Sequence, residues 1–277
     1  MSVVKDLVAD RKILIAAHRG ANGGNIPCNS IEGYLIAVNH GADLIELDVT
    51  VSKDRKLYLL HPGMEWLHLG KKIDLSKMDS SEIDGLMLCN QDCCETLYPL
   101  YKFEDALEAL KGKALINVDK FWSDPEMISK AIRKHNMADQ CIVKSFFPDK
   151  KTIEQLKTYA YDMQYMALIR EKSHIIPELY DKDINFVGVE ILFDSDKNEV
   201  ASEEFIDELH KKGLIAWGNS IVYNYRDVIA GDHTDDKALL GDPEHGWGWF
   251  AKKGFDILQT DWVLPCAQYL KSKNYKK

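Results

Sequence analysis

Short apolar runs recur along the chain at Ile13–Ala17, Leu44–Val49, Leu57–Leu60, Ala114–Val118, Cys141–Val143, Met163–Leu168, Phe186–Val189, Leu214–Trp217 and Ile257–Gln259. Stretches of helical periodicity separate them. Ser30–Asn39 follows Asn29, a residue suited to an N-cap. Phe103–Leu110 places Phe103, Ala106, Leu107 and Leu110 on one helical face. Asp124-Pro125 opens a helix to about His135, with proline in its first turn. Lys150–Tyr159, Ser202–Lys211 and Trp262–Leu270 complete the set. This alternation predicts an α/β fold with a parallel sheet and helices outside it. Eight or nine strand runs in 277 residues suit a TIM-type eight-stranded parallel β/α barrel, read as one domain over 1–277. The surplus run, Leu57–Leu60, is expected to be a short partner of the second strand. Polar, cysteine-rich Gly63–Pro99 reads as a small insertion, and Val222–Trp249 as an elaborated loop near the last strands. In such barrels the loops after the strands build the active site.

Composition narrows the classes. Hydrophobic residues make up 45% of the chain, enough for a large core, yet no run approaches the roughly 18 apolar residues of a membrane span. Met1–Lys12 is charged and polar, and Ile13–Ala17 is too short for a signal-peptide core. A cytoplasmic protein without stable membrane insertion is expected. The 35 basic and 44 acidic residues leave a net charge of −9 and no basic face for nucleic acid. Lys271, Lys273, Lys276 and Lys277 read as a solvated tail. The net charge does not forbid an anionic substrate, because a bound cation inverts the local field. Cys89, Cys93 and Cys94 cluster, but no second pair stands at zinc-site spacing, so free thiols are the expectation.

The chemistry gathers at strand ends. In Leu44–Val49, alternation puts Leu44, Glu46 and Asp48 on one face and Ile45, Leu47 and Val49 on the other. Two carboxylates pushed into a barrel need a partner, either a hard divalent cation or a basic side chain. His18 and His61 each follow an apolar run, and two histidines can divide acid and base roles on a phosphodiester. Each alone also fits a structural histidine. Arg19 offers a planar fork for phosphate or a surface ion pair. Asn117-Val118-Asp119-Lys120 ends another run, so Asp119 is a candidate third carboxylate and Lys120 a point charge for phosphate. Lys120 enters the site only if the strand has already ended, since alternation points it away from Asn117 and Asp119.

The strings AAHRG, NIPCNS, GADLIELDV, LYLLHPG and GFDILQTDWVLP, in this order from His18 to Leu270, resemble the glycerophosphodiester phosphodiesterases. The resemblance implies a TIM-type barrel with an insertion after the second strand, here about 62–99. It also implies one divalent cation, Mg²⁺ or Ca²⁺, on Glu46 and Asp48, with His18 and His61 as acid/base pair and Arg19 on phosphate. Three departures stand out. Cys28 replaces a glutamate, Pro62 replaces the aspartate after the second histidine, and no acid stands two residues before Lys120. Asp119 is therefore taken as third ligand, with Asn117 as runner-up. Trp217 matches a tryptophan-centred strand end and reads as lining an alcohol pocket or as core. Glu190 reads as binding metal-bound water, a substrate hydroxyl or Lys120. Asp261 reads as a cap of the final helix. The remaining histidines read as surface groups, His233 and His245 excepted.

The expected activity is metal-dependent hydrolysis of a small-molecule glycerophosphodiester to glycerol 3-phosphate and an alcohol. Two rivals remain. One is a phospholipase D-like barrel acting on lipids, which an exposed apolar rim would favour; no apolar loop is visible in the sequence. The other is a barrel that binds a phosphorylated ligand without turnover.

Overall fold

The computed structural model describes residues 2–223 and 226–277; Asn224 and Tyr225, inside the late Val222–Trp249 stretch, and Met1 lie outside them. Along the described chain the strands are β1 (Leu14–His18), β2 (Leu44–Val51), β3 (Leu57–Leu59), β4 (Met87–Cys89), β5 (Glu95–Pro99), β6 (Leu115–Asp119), β7 (Cys141–Phe146), β8 (Gln164–Ile169), β9 (Asn185–Ile191), β10 (Ile215–Asn219) and β11 (Ile257–Thr260). Eight of them close a parallel barrel in the order β1-β2-β6-β7-β8-β9-β10-β11, with β11 returning to β1. The fold is a TIM barrel. The surplus strand β3 runs antiparallel on the end of β2, pairing Val49 with Leu59 and Val51 with Leu57.

Alternation explains the two cores. On β2, Ile45, Leu47 and Val49 face outward into the main core under the helices, while Leu44 faces the barrel axis. Inside, Leu14, Ala16, Leu44, Leu115, Ile142, Met166, Ile215, Trp217 and Ile257 fill the lower barrel. The outer helices are α2 (Ile31–Asn39), α5 (Phe103–Leu110), α6 (Pro125–Lys134), α7 (Lys150–Tyr159), α8 (Glu203–Lys211) and α11 (Val263–Ser272). Ser30, not Asn29, caps α2, accepting the Gly33 N–H at 3.1 Å. Asn29 instead turns into the left-handed region with φ +53°, which frees its amide for the site described below.

The polar N-terminus hides a helix. Val3–Arg11 forms α1, which seats fully buried Val4 against the bottom of the barrel core. Gln164 anchors it by accepting the Val4 N–H at 2.9 Å. At the other end, residues 62–99 fold outside the barrel sheet as α3 (Glu65–Leu69), α4 (Ser80–Ile83) and the β4–β5 hairpin. They share a small core with Tyr58, Leu60 and Leu100. The late stretch carries α9 (Asp235–Leu239) and α10 (Trp247–Lys253). None of the described helices is long and apolar enough to cross a membrane.

Candidate active site

The parallel register of β2 and β6 sets Glu46 beside Asn117 and Asp48 beside Asp119. Carboxylate oxygens of Glu46, Asp48 and Asp119 lie within 4.8 Å of one another, the one such group of potential metal ligands among the described residues. All three are buried. Cations crowd them: Arg19 Nε lies 2.8 Å from Asp48, and Lys120 Nζ lies 2.5 Å from Asp119 and 3.9 Å from Asp48. Lys144 Nζ reaches Asp119 at 3.9 Å and Glu190 at 3.0 Å. Compensation is incomplete. Asp48 Oδ1 is buried with no hydrogen-bond partner, and burial followed by the charge of Asp48 raises the Glu46 pKa. Three convergent carboxylates, one with an orphaned oxygen, fit a hard divalent cation such as Mg²⁺ or Ca²⁺. Asn117 belongs to the same inward face one step lower, with both amide atoms unpartnered.

The loop after β1 wraps this cluster. Arg19 has φ +56°, and its N–H donates to both the Glu46 carbonyl and the Glu46 carboxylate at 3.1 Å. Gly20 follows with φ +80°, where a Cβ would stand 2.9 Å from the Gly33 backbone, so no larger residue fits the turn. Asn29 spans the gap: its amide donates to Asp48 Oδ2 at 3.0 Å and accepts from the Tyr34 hydroxyl at 3.0 Å.

The two histidines differ in their supports. His18 ends β1 and donates from Nδ1 to Asp261 at 2.8 Å. Burial opposes the charged ring, but Asp261 and then Glu46 outweigh it and raise the pKa. His61 follows β3 and donates from Nδ1 to the Pro62 carbonyl at 2.9 Å, so the unusual proline orients it through its main chain. Burial lowers the His61 pKa. Asp261 is not the helix cap expected of it; Trp262 occupies that position in α11. Its own N–H donates to Asp235 at 2.8 Å. Asp235 is a buried carboxylate that also accepts from Ser220 (2.7 Å), Trp247 (2.6 Å) and Thr260 (2.6 Å).

His18, Arg19, Glu46, His61, Asp119 and Lys120 line one cleft of about 350 Å³. Lys120 enters it because β6 has ended: the residue sits in the left-handed region at φ +62°, which turns its side chain back. Glu190 also lines the cleft, but its partners are Lys144 and Asn219 (3.1 Å) rather than Lys120. Trp217 does not line it. It lies two residues below Asn219 on the inward face of β10, fully buried in the lower barrel core. A second cavity, of about 600 Å³, lies on the other side of His18 and Arg19, walled by Pro27, Cys28, His68 and Trp262. Cys28 stands there 3.5 Å from His68, its thiol pushed up to about 11 by burial. His68 is thus an interior group and not a surface one, as is His233, which stacks on Trp249 at 4.0 Å. All six cysteines are unpaired.

Known proteins resemble this chain in parts of its sequence and in its fold. A family profile described as a domain of unknown function matches residues 165–270. A glycerophosphodiester phosphodiesterase of Bacillus subtilis is 36% identical over 83 residues, 27% of this chain and 28% of that protein. The enzyme of the same name from Caldanaerobacter subterraneus is 29% identical over 146 residues, 49% of this chain and 58% of that protein. The matched stretches thus span less than two thirds of these relatives. A crystal structure of a glycerophosphoryl diester phosphodiesterase from Parabacteroides distasonis superposes with a TM-score of 0.76 at 18% identity. It covers 99% of this chain and 93% of its own, a likeness of fold.

Proposed function

The chain belongs to the glycerophosphodiester phosphodiesterase family, and from that premise we propose that it hydrolyses a glycerophosphodiester to glycerol 3-phosphate and an alcohol. The observation that carries the reading is one cleft lined by His18 and His61 beside the Glu46–Asp48–Asp119 cluster. Those three carboxylates would hold a divalent cation, which when bound supplies Lewis-acid stabilisation of phosphoryl oxygens. Arg19 and Lys120 bind the phosphate from the sides, one as a planar fork and one as a point charge. Lys144 adds positive charge from below and is kept in place by Glu190.

Acid and base roles follow from the supports of the two rings. A carboxylate only accepts hydrogen bonds, so Asp261 keeps the proton on His18 Nδ1 and favours the charged imidazolium. His61, held by a neutral carbonyl, keeps a free lone pair on Nε2. His61 therefore accepts the proton of the nucleophile, either the glycerol 2-hydroxyl or a water, as its oxygen bonds to phosphorus. The bond from phosphorus to the departing oxygen breaks as His18 Nε2 gives that oxygen a proton. When the 2-hydroxyl attacks first, the cyclic phosphate is opened by water with the roles reversed.

The test is release of glycerol 3-phosphate from a panel of glycerophosphodiesters, with and without chelator. Chelation should abolish turnover, and His18→Ala and Glu46→Ala should each lower kcat by about 10²-fold or more. Chelator-insensitive turnover, or full activity in both variants, refutes the mechanism. Phosphodiester binding with no release from any substrate would favour a non-catalytic barrel.

A further inference from the structure

The β10–β11 ladder breaks off where the site begins. Its last rung runs from the Ser220 N–H to the Gln259 carbonyl at 2.8 Å. Parallel strands exchange evenly spaced bonds, so the next rung would run from the Asp261 N–H to the Ser220 carbonyl. Asp235 stands in that gap and takes both ends. Its own N–H donates to the Ser220 carbonyl at 2.6 Å, and its Oδ2 accepts the Asp261 N–H at 2.8 Å. The strands therefore part without leaving either peptide group unpaired. Asp235 opens α9, on the late stretch, 26 residues before Asp261.

The other carboxylate oxygen is as fully used. Oδ1 accepts from the hydroxyls of Ser220 and Thr260, at 2.7 and 2.6 Å, and from the indole N–H of Trp247 at 2.6 Å. Donors from two strand ends and from the first residue of α10 thus lock one buried side chain. Thr260 passes the order on: the same hydroxyl accepts the Trp262 N–H at 2.9 Å. The turn 260–262 is therefore held on both sides of Asp261. The Asp261 carboxylate is itself 36% exposed, so water competes for it, and its aim at His18 Nδ1 depends on where the main chain puts it.

We infer that Asp235 is a positioning residue of the reaction: it fixes the turn that aims the Asp261 carboxylate at His18. It lines neither of the two cavities beside His18 and so meets no substrate. It acts through Asp261, which keeps the proton on Nδ1 of the charged ring and leaves Nε2 to serve the departing oxygen. This rests on the acid role of His18 proposed above. Asparagine separates a positioning role from a merely structural one. Of nearly the same shape, it keeps three bonds by leaving its oxygen at the Oδ1 position. It then turns an NH2 toward the Asp261 N–H, donor against donor, and only the bond that orders Asp261 is lost.

The experiment uses two glycerophosphodiesters that differ in the leaving alcohol, one with ethanolamine and one with p-nitrophenol. The first alcohol needs a proton from the acid as it departs, whereas nitrophenolate leaves without one. Asp235→Asn should lower kcat on the ethanolamine ester about 10-fold or more with KM unchanged, and kcat on the nitrophenyl ester by less than about twofold. His18→Ala should show the same selectivity more steeply. Thr260→Val, which loosens the same turn with Asp235 in place, should repeat the selective loss, and Thr260→Ser should restore the rate. Where circular dichroism shows Asp235→Asn unfolded, the Thr260 pair decides in the same terms. Full activity in the folded variant, or an equal loss on both esters while His18→Ala stays selective, overturns the inference alone. Equal losses on both esters in His18→Ala overturn the acid role, and no product from either ester with the wild-type chain overturns the hydrolytic reading; this inference falls with each.

Discussion

His18 and His61 are chemically identical, and their surroundings make them different. A carboxylate, Asp261, holds one, and a main-chain carbonyl, that of Pro62, holds the other. The raised pKa of His18 keeps it protonated to higher pH; without the Asp261 charge, burial alone would lower it. Asp261→Asn is therefore expected to move the alkaline limb of the kcat/KM profile to lower pH and to reduce kcat by about 10²-fold. A pH–rate profile checks both, and an unmoved limb would remove Asp261 from the mechanism. At this scale much was legible. Alternation alone puts Glu46 and Asp48 on one face, and the ends of apolar runs point to His18, His61 and Asp119. Asp261 was not legible as a partner of His18, because 243 residues separate them and only barrel closure joins β11 to β1. Cys28 and Pro62, the departures beside the histidines, prove to be a neutral thiol in the second cavity and the source of a main-chain carbonyl that accepts from His61.

Among elements, all the barrel strands follow the apolar runs, since a strand buried on both faces must be nearly continuous in apolar residues. The readings fail where strands go on past those runs. The run Cys141–Val143 stops before Lys144, yet β7 continues to Phe146, because Glu190, on β9, neutralises the buried ammonium. Partners that lie two strands away leave no trace in local pattern. Helix α1 was missed for a related reason: a short, charged segment becomes ordered only when Val4 has a barrel floor to cover. Close packing of strands makes its own prediction. A Cβ on Gly188 in β9 would stand 2.3 Å from the Ile215 carbonyl in β10. Gly188→Ala should cost about 1–3 kcal/mol, read as a lower Tm, because backbone atoms cannot rotate aside.

Over the whole molecule, the barrel floor ties the two termini together through one carboxylate. Asp43 accepts from Arg11 at 2.5 Å, from the Ile15 N–H at 2.8 Å and from Lys276, which burial gives a lowered pKa. Asp43→Ala strands the Lys276 ammonium away from water and should destabilise the fold by about 3 kcal/mol, measured by urea unfolding. The active-site end, far along the strands from this pair, should keep its kcat. The Asp43 cluster thus serves stability at the floor while the candidate active site lies at the mouth, the usual division in a barrel of this kind.

By itself the sequence determined the strand–helix alternation, and with it the barrel. It also determined which strand ends carry carboxylates and histidines, since those depend on periods of two and of 3.6 residues that are written locally. Tertiary structure alone decided how these groups are paired: Asp261 with His18, Lys144 with Glu190, Asn29 with Asp48. The small apolar cluster of Leu168, Leu192, Ile221 and Ile229 is likewise assembled from single residues, three of them on or just beyond separate strands. The physical reason is the same in each case. Closing the sheet into a barrel brings every second residue of eight distant segments onto one axis, and contacts across that axis have no spacing in the chain.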